Sequence, residues 1–223
     1  MLALDTATPA MTVALHDGSR VLADRVEVSS RGHGELLAAM IEQVLTAAGA
    51  DRGDLEAVAV GTGPGPYTGM RAGLVTARVL ASALGVPAVG VCTLDVIARA
   101  AAPAADGREF VVAADARRKE VYWARYTPEG KRAGEPGVAL PAALAAQIAA
   151  EIGPSCPVAG QGPELYRELA GSAIPPSYPD AGLLAEIALQ CLALGAPDGP
   201  PEPLYLRRPD ARVPGKPKKV TPA

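Results

Sequence analysis

The order of secondary-structure signals repeats once along the 223-residue chain. Alternating and β-branched runs within residues 1–28 predict three antiparallel strands, and Asp17-Gly18 between the last two favours a tight hairpin turn. A helix-type segment, a buried strand-type run and a second long helix follow. After an Ala-, Pro- and Gly-containing stretch at 99–109 the same series returns. We predict a duplicated α/β fold, each half having three antiparallel strands, a helix, a strand and a helix.

This repetition also predicts the domain organisation. We assign residues 1–99 together with 177–206 to the N-terminal half, because a last apolar helix is expected to return to it. Residues 100–176 form the second half. The proline-rich segment 207–223 is too polar and too often interrupted to pack as a further element, so we expect a partly mobile tail.

Charge and composition exclude several classes of protein. A net charge of −3 argues against a general nucleic-acid binder, which would show an excess of clustered Lys and Arg. No stretch of uncharged apolar residues is long enough to span a bilayer, and the chain starts with a strand rather than a charged leader. Cys92, Cys156 and Cys191 form no C-x-x-C pair, which is typical of free thiols in a reducing compartment. We expect a cytoplasmic protein without a membrane contact.

A glycine-rich loop within residues 58–85 raises the question of phosphate binding. It lacks the lysine of a Walker loop, and counting from Gly61 and Gly63 reaches Pro66 where the dinucleotide fingerprint needs glycine. We interpret the loop as a stiff connection into the following helix, which Thr68 is expected to cap and Gly85 to end. A phosphate cradle is the alternative interpretation.

Four stretches together resemble the TsaB (YeaZ) family. They are LDTATPAMTVAL at 4–15, the loop and helix GTGPGPYTGMRAGLVTARVLASALGVPAVGVCTLD at 61–95, VVAADARRKEVYWARY at 111–126, and PLYLR at 203–207. The resemblance covers most of the chain, although 131–174 is generic. It implies the fold of acetate kinases, sugar kinases and heat-shock ATPases, with two RNase H-like halves.

The resemblance also implies a function. Members of this family act as non-catalytic assembly subunits in the synthesis of N6-threonylcarbamoyladenosine, a modified base next to the tRNA anticodon. The implied partners are a TsaD-like catalytic subunit, which carries the metal, and a TsaE-like ATPase. The resemblance implies that tRNA is reached indirectly, through the complex. An active ATPase or phosphotransferase of the same superfamily is the alternative function.

Asp5, Thr6 and Asp115 are the candidates for a vestigial nucleotide site. Asp5 ends the first strand, where kinase-like relatives place an acidic residue near magnesium, and Asp115 holds the matching place in the second half. The first turn contains Pro9, which removes an N–H donor and makes a poor anion cradle. Weak ATP or ADP binding stays open, but no resident cofactor is expected. Alternatively, Asp5, Thr6 and Thr8 satisfy local backbone groups.

No catalytic or metal-binding residue is predicted. A helical metal pair needs ligands three or four residues apart, and His33 is followed at those positions by Leu36 and Leu37. His16 is interpreted as a surface strand residue. In 117–126 the aromatic residues fall on both faces of a strand, which favours packing, and an RNA-stacking platform is the alternative.

Two helices are predicted to bind the catalytic partner. On the first, apolar residues cover an arc of about 180°, whereas a core-facing stripe needs only about 100°. On the second, small residues recur every fourth position, so that another helix can approach closely. The alternative is that both helices pack inside this chain; self-pairing of the isolated protein is also open. The predicted interface residues are Leu36, Leu37, Met40, Ile41, Val44, Gly69, Met70, Gly73, Leu74, Ala77 and Ala81.

Overall fold

A computed structural model describes residues 1–29, 33–195 and 199–207, with backbone alone for 33–35. The described part of the first 101 residues contains five strands and three α-helices. The strands are β1 (Leu2–Asp5), β2 (Ala10–His16), β3 (Val21–Val28), β4 (Val58–Gly61) and β5 (Ala88–Val91), and the helices are α1 (His33–Ala48), α2 (Tyr67–Leu84) and α3 (Thr93–Ala101). The predicted tail, apart from Arg207, lies outside the described residues, as does the side chain of His33.

The strands of the first half form one sheet in the order β3-β2-β1-β4-β5. The first three are antiparallel, while β4 pairs parallel with β1 and with β5. The predicted hairpin joins β2 to β3, and the Asp17 carboxylate accepts hydrogen bonds from the backbone N–H groups of Ser19 and Arg20. The Ser19 hydroxyl also donates to this carboxylate, at 2.7 Å, and that bond together with the backbone bonds holds the pKa of Asp17 below its usual range.

The second half repeats this arrangement in a shorter form. It contains β6 (Phe110–Asp115), β7 (Val121–Tyr126), β8 (Gly137–Ala139), α4 (Pro141–Glu151), β9 (Val158–Ala159), α5 (Gly162–Leu165) and α6 (Arg167–Ala170), and the chain then enters α7 (Ala181–Ala193). The sheet order is β8-β7-β6-β9, with β9 parallel to β6. The first four strands of each half have the same order and directions, which confirms the duplicated RNase H-like fold; β5 has no counterpart in the described second sheet. The single helix predicted after β9 is two short helices, because Tyr166 is extended between them.

Helices cover both faces of the first sheet. Leu2, Leu4 and Met11 pack on one face in a cluster with residues of α1 and α2. The other face carries small side chains, including Ala3 and Ala14, and α7 packs against it. Small residues let this helix approach the sheet closely. The last helix thus contacts the first half, 90 residues after β5 ends.

Helix α3 bridges the two halves. Its Leu94 and Ile97 pack with Phe110 of the second sheet, whereas Val96 belongs to the cluster beneath α7. Asp95 accepts a hydrogen bond from Tyr126 and pairs with Arg132, both of which lie in the second half. The predicted boundary between residues 99 and 100 falls inside this helix.

After α7 the described chain resumes at residues 199–207, here named the C-terminal strap. The strap contacts both halves. The N–H of Leu204 donates to the carbonyl of Thr62, at 2.9 Å, in the glycine-rich loop. Arg207 donates to the carbonyl of Ala116 at 3.3 Å and forms an ion pair with Glu120, beside the β6–β7 turn.

Two local predictions are wrong. Thr68 does not cap α2: the helix starts at Tyr67, and Pro66, two residues before Thr68, occupies the cap position with the non-helical backbone (φ −56°, ψ 130°) that a cap requires. His16 is not a surface residue, because its ring is buried and its Nδ1 accepts a hydrogen bond from the N–H of Gly18. Gly85 ends α2 in the left-handed conformation as predicted.

Within the described ranges, every helix is too short or too polar to span a lipid bilayer.

Candidate functional site

Asp5 occupies the end of β1 and is completely buried. One carboxylate oxygen accepts a hydrogen bond from the N–H of Ala7 at 2.7 Å, and the other accepts from the hydroxyl of Thr93, also at 2.7 Å. Burial raises the pKa of Asp5 to about 6, and the two hydrogen bonds oppose that rise. The carboxylate therefore joins β1 to its own turn and to α3. Sequence reasoning missed Thr93, whose role depends on a tertiary contact.

The glycine-rich loop packs against this buried carboxylate. A Cβ atom at Gly61 would overlap the Asp5 carboxylate, and one at Gly65 would overlap the carbonyl oxygen of Ala7. These glycines are required because the chain's own groups fill the space beside the loop. The loop is thus in close contact with the first turn.

The hydroxyl of Thr6 is inserted into helix α2. It donates to the carbonyl of Gly69 at 2.7 Å and accepts from the N–H of Gly73 at 3.0 Å. In a regular helix those two backbone groups bond to each other, so the hydroxyl lies between the partners of one helical hydrogen bond. A Cβ atom at Gly73 would overlap the Thr6 hydroxyl. Thr6 therefore does satisfy backbone groups, but those of α2 rather than the local ones of its own turn.

Asp115 ends β6 and lies partly exposed. Its carboxylate accepts from the N–H of Arg117 at 2.8 Å and pairs with the guanidinium of Arg117 at 3.3 Å. Its described partners thus belong to its own turn, whereas those of Asp5 belong to the first half. In the part of the chain that the structure describes, no group of three His, Cys, Asp or Glu residues is arranged to hold a metal ion.

The predicted interface residues are mostly buried in this chain. The exception is Leu36, with 37% of its surface exposed. The small-residue stripe of α2 faces the chain's own sheet, since Gly73 contacts Thr6 and Leu4. The expectation of an outward-facing groove along that stripe is therefore wrong. The residues buried in the chain's own core are Leu37, Met40, Ile41, Val44, Gly69, Met70, Gly73, Leu74, Ala77 and Ala81.

A different surface of the same two helices is open and apolar. Val75 and Val79 are 58% and 62% exposed, on the side of α2 opposite Gly73. They border a groove of about 400 Å³ between α1 and α2, which is also lined by Ala38 and Ala83. Glu42 and Arg52 also line this groove and pair with each other. The spacing of Val75 and Val79, four residues apart, is a sequence signal for this second apolar face.

The chain is similar to known proteins over most of its length. A family model described as "TsaD: tRNA N6-adenosine threonylcarbamoyltransferase" matches residues 26–159. An uncharacterized protein of Mycobacterium tuberculosis is 42% identical over 218 residues, which are 95% of this chain and 93% of that protein. The Escherichia coli tRNA threonylcarbamoyladenosine biosynthesis protein TsaB is 40% identical over 126 residues, about half of each chain. YeaZ from Pseudomonas aeruginosa superposes with a TM-score of 0.76 at 32% identity, covering 92% of this chain and 98% of that one.

Proposed function

This chain belongs to the TsaB (YeaZ) family, and from that premise we propose that it is a non-catalytic assembly subunit required to form N6-threonylcarbamoyladenosine in tRNA. Its proposed partner is a TsaD-like catalytic subunit. The observation that carries the proposal is the apolar groove bordered by Val75 and Val79. Contiguous exposed apolar surface of this kind is typical of protein–protein contacts.

A partner of the same fold suits this groove. The family model that matches the chain is that of the transferase itself, so the catalytic subunit is expected to carry an equivalent pair of helices. Two similar helix pairs can pack face to face about a pseudo-twofold axis. Ala38 and Ala83 are small, so they leave room for a partner helix to approach. In the absence of that partner, the same face would pair two copies of this chain.

The proposed lack of catalysis rests on the residues at the position of the superfamily's nucleotide site, whose polar groups are already bonded within this chain. Both oxygens of Asp5 are already used by Ala7 and Thr93, and the loop glycines contact the chain's own atoms. Asp115 is paired with Arg117. We therefore propose no resident cofactor and at most weak binding of ATP or ADP. A TsaE-like ATPase as a further partner, and the cytoplasm as the location, rest on family membership alone.

The decisive experiment is depletion of the protein in its own cells, followed by mass spectrometry of tRNA nucleosides. We expect N6-threonylcarbamoyladenosine to fall and to recover when the wild-type gene is restored. Unchanged levels would refute the proposed function.

A second assay addresses the alternative activity. The purified chain is incubated with ATP and magnesium, and hydrolysis is compared with that of an Asp5→Asn variant. We expect background rates from both proteins. Turnover that disappears in the variant would favour the phosphotransferase alternative.

A further inference from the structure

The turn between β6 and β7 has an unusual backbone conformation. Arg117, Arg118 and Lys119 are consecutive and have φ values of +59°, +55° and +62°, in the left-handed region that L residues rarely adopt. The turn is closed by a hydrogen bond from the N–H of Glu120 to the carbonyl of Arg117, at 3.0 Å. All three cationic residues are exposed. Strained backbone of this kind clusters at ligand-binding and other functional sites, and here it presents three cations to solvent.

Two tyrosine rings and an arginine form a stack at the start of α2. The rings of Tyr67 and Tyr205 lie 5.5 Å apart with an interplanar angle of 23°. The guanidinium of Arg71 lies 4.2 Å from the centre of the Tyr67 ring, and its Nε donates to the Tyr205 hydroxyl at 3.0 Å. Tyr67 and Tyr205 are about half exposed. Exposed rings held in place by a cation are suited to stack on a further flat group.

The C-terminal strap joins the stack to the turn. Tyr205 lies on the strap only two residues before Arg207, a backbone span of about 7 Å. Arg207 in turn contacts Ala116 and Glu120 on either side of the cationic turn. We define the basic–aromatic surface by its six members, which are Tyr67, Arg71, Arg117, Arg118, Lys119 and Tyr205.

The charges on this surface have a positive sum. Its four cations and the adjacent Arg207 are five positive charges, whereas the negative charges beside them are those of Asp115, Glu120 and the exposed Glu202 of the strap. Asp115 is paired with Arg117, and Glu120 with Arg207. The excess is local, since the whole chain has a net charge of −3.

We propose that the basic–aromatic surface binds RNA directly, with backbone phosphates at the cationic turn and an unpaired base stacked on Tyr205. This proposal rests on the proposed function, in which the RNA is tRNA, and it replaces the expectation that tRNA is reached only through the complex. Proteins that bind single-stranded RNA combine cations with exposed aromatic rings in this way. An acidic protein partner is the alternative occupant of this surface, and the binding test below distinguishes it from RNA.

The test measures binding of an unmodified tRNA transcript by fluorescence anisotropy, using the full chain alone and in complex with the catalytic subunit. The test variants are Lys119→Glu and Tyr205→Ala. Each is expected to weaken binding by about fivefold or more, as loss of a phosphate contact or a stacked base does. Lys119→Glu should also reduce the salt dependence of log Kd by about one unit of slope.

Two matched controls separate direct RNA binding from a general effect of charge and from loss of the Tyr205 hydroxyl. Lys131→Glu makes the same charge change beyond the opposite end of β7, about 20 Å away, and should leave binding within about twofold. Tyr205→Phe keeps the ring but removes the hydroxyl that accepts from Arg71, so binding should be retained. Thermal unfolding of each variant establishes that the fold is intact.

Three results would overturn the inference. They are no tRNA binding by either preparation, normal tRNA affinity in both test variants, or test variants that fail to bind the catalytic subunit while they bind tRNA normally. Failure here is distinguishable from failure of the proposed function. If depletion lowers N6-threonylcarbamoyladenosine but Lys119→Glu restores it and binds tRNA normally, the function stands and the direct contact does not. If depletion has no effect on N6-threonylcarbamoyladenosine, the proposed function is refuted. The tRNA affinities of the variants still show whether the basic–aromatic surface binds RNA.

Discussion

The hydroxyl of Thr93 donates to the carboxylate of Asp5 at 2.7 Å, across 88 residues of sequence, and both side chains are buried. The same hydroxyl accepts from the N–H of Gly63 at 3.1 Å. One small side chain thus connects β1, the glycine-rich loop and the start of α3. Since α3 packs on the second sheet, this contact links the first turn of the chain to the helix between the halves.

Thr93→Val should destabilise the protein. The variant keeps the side-chain volume but leaves the Asp5 oxygen and the Gly63 N–H without a partner, at a cost of about 1–3 kcal/mol. Urea unfolding at neutral pH measures the difference. Thr46→Val, an exposed site on α1, is the matched control and should change stability by less than about 0.5 kcal/mol. Equal stability of both variants would contradict the assigned role.

The stability of the fold should depend on the protonation of Asp5. Burial raises the pKa of Asp5 to about 6 in the folded state, whereas in the unfolded chain it lies near 4. The folded state therefore binds this proton more tightly, so the contribution of Asp5 favours folding below about pH 4 and is lost as the pH rises through about 6.

Asp5→Asn isolates that contribution, because other titrating groups cancel in the comparison. The free energy of unfolding of the wild type minus that of the variant should fall by about 2 kcal/mol between pH 4 and pH 7, because the unfolded carboxyl is already about half ionised at pH 4. Urea unfolding at a series of pH values provides the measurement. A difference that stays constant over this range would show that Asp5 has an ordinary pKa.

Gly73→Ala should be destabilising only while Thr6 is present. The new methyl group overlaps the Thr6 hydroxyl, and such overpacking costs about 1–3 kcal/mol. In a Thr6→Ala background the overlap is absent, and the higher helix propensity of alanine should stabilise the helix by up to about 1 kcal/mol. A double-mutant cycle by urea unfolding measures the coupling. Additive effects would mean that the hydroxyl does not constrain residue 73.

These contacts mark the limit of prediction from the sequence. Periodicity and turn residues predict the succession of strands and helices in both halves, because those signals are local and are repeated. The sequence pattern does not predict which face of a helix packs on the sheet. Gly73 and Val75 lie on opposite faces of α2, and the pattern alone does not say which of the two meets the sheet. The Thr6 hydroxyl decides this, because only glycine at residue 73 leaves room for it.

Val79→Arg should abolish binding of the catalytic subunit while leaving the isolated protein folded. Val79 is 62% exposed, so an arginine is tolerated in the free chain, whereas an unpaired charge buried at an interface costs roughly 3–5 kcal/mol. Affinity should drop by about 100-fold or more, and any self-association should be lost as well. Co-purification and analytical ultracentrifugation measure these effects.

Val28→Arg on the edge strand β3 is the matched control, since Val28 is 59% exposed and lies outside the groove. It should bind the catalytic subunit normally. Substitution of Leu74 is not informative, because Leu74 is buried in the core and an arginine there would unfold the chain. Normal complex formation by a folded Val79→Arg protein would place the interface elsewhere.

The position of α7 has a consequence for synthesis of the protein in the cell. The face of the first sheet that carries Ala3 and Ala14 is covered by a helix that leaves the ribosome only after the entire second half. Until then that apolar face is open to solvent or to chaperones, and the first half cannot complete its core. Nascent chains that stall before residue 181 should therefore be captured by chaperones, and folding should become cooperative only once α7 has emerged.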